Sequence, residues 1–209
     1  MTRNQPAHFG NVSHISSSAI HYSRETVLVI SDLFACVALN TSNVGGNSVQ
    51  IINLPPTTIN NAPSTVIQFA EKNAHIRNFV SKILVRLGTF EVLGPQELSS
   101  LWPLFPPFIK ILQGLYPAAG IFLCSVLPVE DAYGSALTPQ RVTVLNSWLY
   151  SMCNSDHKIY YLNFYVMFIN EYGKNYGMFK DAVSLNECGE RMLLQYYHQV
   201  VQNEILMIV

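Results

Sequence analysis

Charge is scarce in this sequence. Only 12% of its 209 residues are Asp, Glu, Lys or Arg, and 12 basic against 13 acidic side chains leave a formal net charge of −1. The chain therefore exerts no overall electrostatic attraction on nucleic acid or on an anionic membrane, and a polyanion would need a local basic patch. Hydrophobic residues, at 49%, are numerous enough for one globular core and leave little material for a second.

Cysteine pairs and leader-like segments are also missing. The four cysteines include no C-x-x-C pair and lie far apart, at Cys36, Cys124, Cys153 and Cys188. This pattern favours a reducing compartment, and we expect neither a metal site nor a cofactor. No apolar run follows a basic start, so no secretory signal is predicted. Gly and Pro interrupt the longest uncharged run, residues 111–129, which predicts a helix end, a turn and a buried strand rather than a membrane span.

Short β-branched runs alternate with longer segments of helical periodicity. Residues 1–25 are rich in Ser, Asn and His without a sustained period, so we predict a flexible lead-in there and a single domain over residues 26–209. Strands are predicted at residues 26–30, 49–53, 83–87, 120–125 and 158–162. Helices are predicted at residues 34–40, 65–81, 104–116, 138–153 and 187–202, with Ser64 and Thr138 as N-caps.

The predicted strands are almost continuously apolar, which is typical of a parallel sheet covered on both faces. Together with the alternation of strands and helices, this predicts an α/β fold with three α/β/α layers around a five-stranded parallel sheet. In such a sheet, functional residues gather in the loops at the carboxyl ends of the strands. Arg86 stands apart as a charge within an apolar strand, and we expect it to pair with Glu91.

Four segments occur in a set order along the chain. Their sequences are VLVISDL, LVRLGTFE, IFLCSVLPV and DAVSLNECGERML, and together they extend from Val27 to Leu193. The set resembles the sequence blocks of the SGNH (GDSL-type) hydrolase family. The resemblance implies the SGNH hydrolase-like fold, with a flavodoxin-like strand order.

The positions that carry this family's chemistry differ here. The nucleophilic Ser of the family's Gly-Asp-Ser triplet corresponds to Leu33, which has no lone pair with which to attack an ester. The Asn that donates to the oxyanion corresponds to Phe90, which has no N–H to offer. In the last block Asp181 remains, but Ser184 replaces the His that acts as base. The resemblance therefore implies a hydrolase fold without catalysis, in which these four positions are degenerate.

Other arrangements of catalytic groups stay open. A displaced site would use Ser31 as nucleophile and His157 as base. The favoured interpretation is that Ser31 helps to form the turn after the first strand and that His157 is exposed at the opposite end of the sheet. Asp32 and Asp181 could form a carboxylate pair, but bracing of a turn and capping of a helix are the favoured interpretation. The family's second-block glycine, a further oxyanion donor, has no assigned position.

The whole pattern also resembles the OSK-type domain of insect germ-plasm proteins, a degenerate form of the same fold. That resemblance implies a developmental protein that binds RNA, at the 3′ untranslated regions of mRNA, and acts in mRNA localisation. It further implies germ-granule proteins as partners and a cytoplasmic location in ribonucleoprotein granules. We expect a monomer without a membrane span.

The candidate RNA-binding residues lie before and within the last predicted helix. Lys174 and Lys180 alternate with Tyr172 and Tyr176, and Arg191 follows them. Cations among aromatic rings suit a surface that contacts the phosphates and stacked bases of a single strand. The same residues are equally consistent with a solvated loop whose aromatic side chains anchor it to the core. Two other functions stay open: a protein-interaction module, which would use the former active-site face or the apolar residues 204–209, and a residual esterase.

Overall fold

The computed structural model describes residues 25–32, 42–44, 47–130, 137–153 and 158–202. Several sequence-based predictions lie outside these residues. They are the lead-in before residue 25, the helix at residues 34–40, Leu33, His157 and the apolar residues 204–209.

The described strands form one main sheet with the order β2-β3-β1-β4-β5-β6. The strands are β1 (Thr26–Ser31), β2 (Ser42–Val44), β3 (Asn47–Asn53), β4 (Val80–Arg86), β5 (Gly120–Cys124) and β6 (Ile159–Leu162). Five strands, in the spatial order β3-β1-β4-β5-β6, pair in parallel. The short strand β2 pairs with β3 in the antiparallel direction and forms one edge of the sheet. The predicted five-stranded parallel sheet and its flavodoxin-like order are therefore confirmed, with one short edge strand that was not predicted.

Helices cover both faces of this sheet. They are α1 (Ala62–Lys72), α2 (Thr89–Leu93), α3 (Phe105–Leu115), α4 (Leu137–Cys153) and α5 (Glu187–Val201). All six residues of β1 are buried, because alternate side chains enter different cores. Leu28 and Ile30 join the core built with α1, α3 and α4, whereas Val27 and Val29 join the core built with α5. The three-layer α/β/α fold is thus confirmed.

Three predicted helix boundaries are wrong. The helix predicted over residues 65–81 ends at Lys72; a 3₁₀ segment, Ala74–Phe79, follows it, and Val80 already begins β4. Asn73 ends α1 because its backbone leaves the helical region, with φ −124° and ψ 39°, and its side-chain amide donates to the Phe69 carbonyl. The N-cap of α1 is Asn61 rather than Ser64, and α4 begins at Leu137, so that Thr138 lies within its first turn.

Helix α5 runs from the carboxyl edge of the sheet back to its amino edge. At the amino edge, the buried Lys82 ammonium donates to the Val201 carbonyl and to the Glu25 carboxylate, each over 2.9 Å. A cation at the carbonyl end of a helix interacts favourably with the helix dipole. This contact holds the amino terminus of α5 at the opposite edge, where the family site is expected. None of the described helices is long and apolar enough to cross a membrane.

Candidate functional site at the carboxyl edge of the sheet

Asp32 follows β1 and braces the turn after β4. Its Oδ2 accepts a hydrogen bond from the Thr89 backbone N–H over 2.9 Å, and its own N–H donates to the Arg86 carbonyl over 3.2 Å. Between these contacts Gly88 adopts φ +130°, a conformation that side-chain-bearing residues rarely take. Asp32 thus makes the contacts of a turn-bracing residue.

Glu91 is a buried carboxylate within α2. Its Oε1 accepts a hydrogen bond from the Ile59 N–H over 3.0 Å, which ties the loop after β3 to the turn after β4. Burial raises the pKa of Glu91, helped by the nearby charge of Asp32 and opposed by backbone hydrogen bonds from Ile59 and Glu91.

The expected pairing of Arg86 with Glu91 is wrong. The described residues hold a single salt bridge, between Lys82 and Glu25. The buried Arg86 guanidinium instead lies 6.0 Å from the centre of the Tyr197 ring, on the α5 side of the sheet. The two residues separate because Arg86 still belongs to β4, whereas Glu91 follows the turn and faces the loop after β3.

Asp181 and Ser184 occupy the loop before α5. The Asp181 Oδ1 accepts hydrogen bonds from the backbone N–H groups of Val183, over 2.9 Å, and Ser184, over 2.6 Å. These two backbone hydrogen bonds lower the pKa of Asp181, and the charge of Lys180 adds to the effect. The carboxylate therefore shapes its own loop. Phe90, which the sequence blocks align with the family's oxyanion donor, is partly buried at the start of α2.

The same loop is joined to the amino end of α5 by Asn186. The Asn186 Oδ1 accepts from the N–H groups of Cys188 and Gly189, which makes it the helix N-cap, while its amide donates to the Gly177 carbonyl. Gly189 lies so close to the preceding segment that a Cβ there would meet the Met178 carbonyl oxygen. These contacts explain the spacing of Asn and Gly in the last sequence block.

The candidate RNA-binding residues are not all exposed. Tyr172 and Tyr176 expose 88% and 64% of their surface, and Lys180 and Arg191 are also exposed. Lys174, by contrast, is buried, and its ammonium donates to the Ala182 carbonyl over 2.6 Å.

The environment of Lys174 is that of a structural residue. It ends the hairpin formed by β7 (Ile169–Asn170) and β8 (Gly173–Lys174), and its Nζ lies 4.2 Å from the centre of the Phe179 ring. Burial lowers the pKa of this ammonium, against the opposing charges of Glu130 and Asp181. Lys174 therefore ties the hairpin to the loop before α5, and its charge is turned away from solvent.

Two neighbouring cavities lie beside these elements. The smaller, of about 240 Å³, is lined by Tyr165, Tyr172, Lys174, Tyr176 and Glu130, among other residues. Lys180 and Arg191 do not line it. The larger, of about 380 Å³, lies between α4 and the segment that begins in β6, and is lined by Thr143, Asn146, Ser147, Tyr150, Tyr161, Asn163 and Tyr165. Tyr165 is common to both cavities.

The larger cavity, called the tyrosine cleft below, was not predicted from the sequence. The sequence feature that could have indicated it is the aromatic run Tyr160-Tyr161-Leu162-Asn163-Phe164-Tyr165 at the carboxyl end of β6. No group of three or more His, Cys, Asp or Glu side chains that could hold a metal ion occurs in the part of the chain that the structure describes.

Solved structures identify the class of this fold. A GDSL-like lipase from Bacteroides thetaiotaomicron VPI-5482 superposes with a TM-score of 0.64 at 16% identity, over 87% of this chain and 89% of the lipase. The domain therefore has the SGNH (GDSL-type) hydrolase-like fold that its sequence blocks predicted.

Structures of Drosophila Oskar are similar as well. The C-terminal domain of Oskar superposes with a TM-score of 0.60 at 14% identity, over 89% of this chain and 98% of that domain. A second structure, of the Oskar OSK domain, gives a TM-score of 0.59 at 14% identity, over 83% of this chain and 87% of that one. The chain thus resembles both hydrolases and Oskar domains in fold. Its sequence matches no protein-family model and no curated protein.

Proposed function

We propose that this chain is a non-catalytic SGNH hydrolase-like domain that binds RNA and scaffolds a ribonucleoprotein assembly. The observation that carries the proposal is the loop before α5, where the family's catalytic base and the Asp that orients it are expected. There the Asp181 carboxylate accepts hydrogen bonds from the backbone N–H groups of Val183 and Ser184. The base position holds the Ser184 hydroxyl, which does not take up a proton near neutral pH.

Other residues support the absence of catalysis. Phe90, at the position of the oxyanion donor, provides no side-chain N–H. The two histidines among the described residues are remote from the carboxyl edge. His75 precedes β4, and His198 lies in the last turn of α5, so both are on the amino side of the sheet.

RNA is the proposed ligand, with 3′ untranslated regions of mRNA as the expected targets and germ-granule proteins as further partners in cytoplasmic granules. The resemblance to the Oskar domains favours this ligand. So do the exposed rings of Tyr172 and Tyr176 and the exposed cations Lys180 and Arg191 on neighbouring segments. Phosphate contacts and stacked bases are the two elements of sequence-tolerant recognition of a single strand.

We expect the double variant Lys180→Glu, Arg191→Glu to bind a single-stranded 3′ untranslated mRNA segment at least about tenfold more weakly than the unaltered chain. If each cation neutralises one phosphate, the slope of log K against log salt also falls by about 1.4. Filter binding over a range of salt concentrations measures both quantities. The matched control is Lys72→Glu, Lys110→Glu, which makes the same charge change at exposed positions on α1 and α3.

Two results would contradict this part of the proposal. One is an unaltered chain that shows no salt-dependent RNA binding. The other is an equal loss of affinity in the two double variants, which would assign the effect to net charge alone. Retained capture of a protein partner in the first case would favour a protein-interaction module.

The absence of catalysis has a separate test. We expect p-nitrophenyl acetate to hydrolyse at the buffer rate in the presence of this chain, because no described residue at the carboxyl edge pairs a nucleophile with a base. The control variant is Ser31→Ala, since the Ser31 hydroxyl lies two residues before the family's nucleophile position. Turnover above background that disappears in this variant would restore an esterase.

A further inference from the structure

The tyrosine cleft has two walls of different origin. One wall is a single face of α4, because Thr143, Asn146, Ser147 and Tyr150 follow the spacing i, i+3, i+4, i+7. The other wall is formed by Tyr161, in β6, and by Asn163 and Tyr165, which follow it. The second wall continues past the end of β6, so the cleft lies at the carboxyl edge of the sheet, where ligands of open α/β folds bind.

Contacts around the cleft hold its walls in place. The Tyr150 and Tyr161 rings meet edge to face, with centroids 5.5 Å apart. Asn146 accepts from the Val126 N–H over 2.8 Å and donates to the Val126 carbonyl over 2.9 Å. The Tyr165 N–H donates to the Ser125 Oγ over 2.8 Å. Both walls are therefore fixed to the end of β5, and a ligand would meet a preformed site.

The chemistry of the lining selects an uncharged, planar ligand. Of the seven described residues that line the cleft, three are tyrosines and none is charged, so these residues offer aromatic faces without a partner for phosphate. Among the described residues, the side chains of Ser147, Tyr150, Asn163 and Tyr165 have no hydrogen-bond partner. Their hydroxyl and amide groups can form hydrogen bonds with the edge of a base, because the polar groups of that edge are exposed once the base is unstacked.

We propose that the tyrosine cleft binds one unstacked base of the RNA strand. This inference rests on the proposed function and specifies where the strand is held. Tyr165 also lines the smaller cavity, together with Tyr172 and Tyr176. The strand therefore continues from the cleft across Tyr165 to these two exposed rings, and successive bases stack on aromatic side chains.

The test is fluorescence anisotropy with a labelled single-stranded RNA. Tyr150→Ala removes a ring that is 41% exposed, and we expect about a tenfold loss of affinity, as stacked bases show when their aromatic partner is removed. Tyr150→Phe keeps the ring and should stay within about threefold of the unaltered chain. The control is Phe79→Ala, which removes a ring that is 52% exposed at the amino end of β4.

A second measurement needs no variant of the protein. An oligonucleotide of the same length whose bases are replaced by abasic sites keeps every phosphate, so it should bind the unaltered chain at least about tenfold more weakly. Tyr150→Ala should bind this abasic oligonucleotide about as tightly as the unaltered chain does, because no base is left to stack on the ring at position 150. This double comparison assigns the effect to a base on the Tyr150 ring, even if the alanine variant is less stable.

The outcomes separate this inference from the proposed function. If RNA binds with the expected salt dependence but Tyr150→Ala and Phe79→Ala bind alike, the cleft is not the base site, while the RNA-binding function stands. Binding of a neutral oligosaccharide that Tyr150→Ala abolishes, with RNA affinity unaffected, would make the cleft a sugar site and overturn the inference. An unaltered chain that does not bind RNA at all overturns both.

Discussion

Alanine at position 88 is expected to lower the free energy of unfolding by about 3 kcal/mol or more. Gly88 has φ +130°, so any side chain there strains the backbone. A Cβ would in addition lie 2.6 Å from the Leu145 Cδ2 and 2.8 Å from the Val126 Cγ2. Both neighbours are fully buried, in α4 and after β5, and cannot move aside cheaply. The cost is therefore the sum of a backbone term and a packing term.

Urea denaturation followed by circular dichroism measures this loss. The control is Gly114→Ala in the last turn of α3, where a Cβ would meet nothing within 4 Å. Alanine is favoured over glycine in a helix, so this variant is expected to gain up to about 0.5 kcal/mol. A loss below 1 kcal/mol for Gly88→Ala, or equal effects in the two variants, would contradict the geometry of the turn after β4.

Glu91→Ala is expected to cost about 3 kcal/mol of unfolding free energy. The substitution removes a side chain that is only 2% exposed and leaves the Ile59 N–H without its acceptor. Glu91→Gln retains an acceptor oxygen of the same shape. It should therefore keep most of the stability that Glu91→Ala loses, and denaturation of the two variants in parallel separates the hydrogen bond from the charge.

The same residue has a pH signature. Burial raises the pKa of Glu91 in the folded chain above the usual 4.5, so the folded state binds the proton more tightly than the unfolded state does. Its contribution to stability is therefore greatest below pH 4.5 and is lost as the pH rises through the higher, folded-state pKa. Glu91→Gln should abolish this part of the pH dependence, whereas Glu71→Gln, at an exposed position on α1, should leave it unchanged. A profile that is identical in all three chains would contradict the buried carboxylate.

The fold followed from local patterns in the sequence. β1 shows this most clearly, because a fully buried central strand needs apolar residues on both faces and leaves a short, continuous run. Five such runs separated by helical segments were sufficient to predict the layers, whereas the strand order came from the resemblance of the sequence blocks to the SGNH hydrolase family. The end of α1 was missed, since Asn73 stops the helix through contacts that helical periodicity does not reveal.

The sites depended more on tertiary structure. The spacing of Lys174 among tyrosines suggested a phosphate contact, but the ammonium turns inward to carbonyls of the loop before α5. Sequence shows which groups a segment carries, whereas their direction is decided by the segment packed against it.

Local order along the chain thus determined the SGNH-like fold, because strand and helix patterns are properties of neighbouring residues. The tyrosine cleft is different, since it joins residues 143–150 of α4 to residues 161–165, which lie in β6 and directly after it. Their approach depends on how α4 packs across the sheet, and that packing is the result of the whole hydrophobic core. Only the tertiary structure could therefore decide where the aromatic rings meet and which cations face solvent.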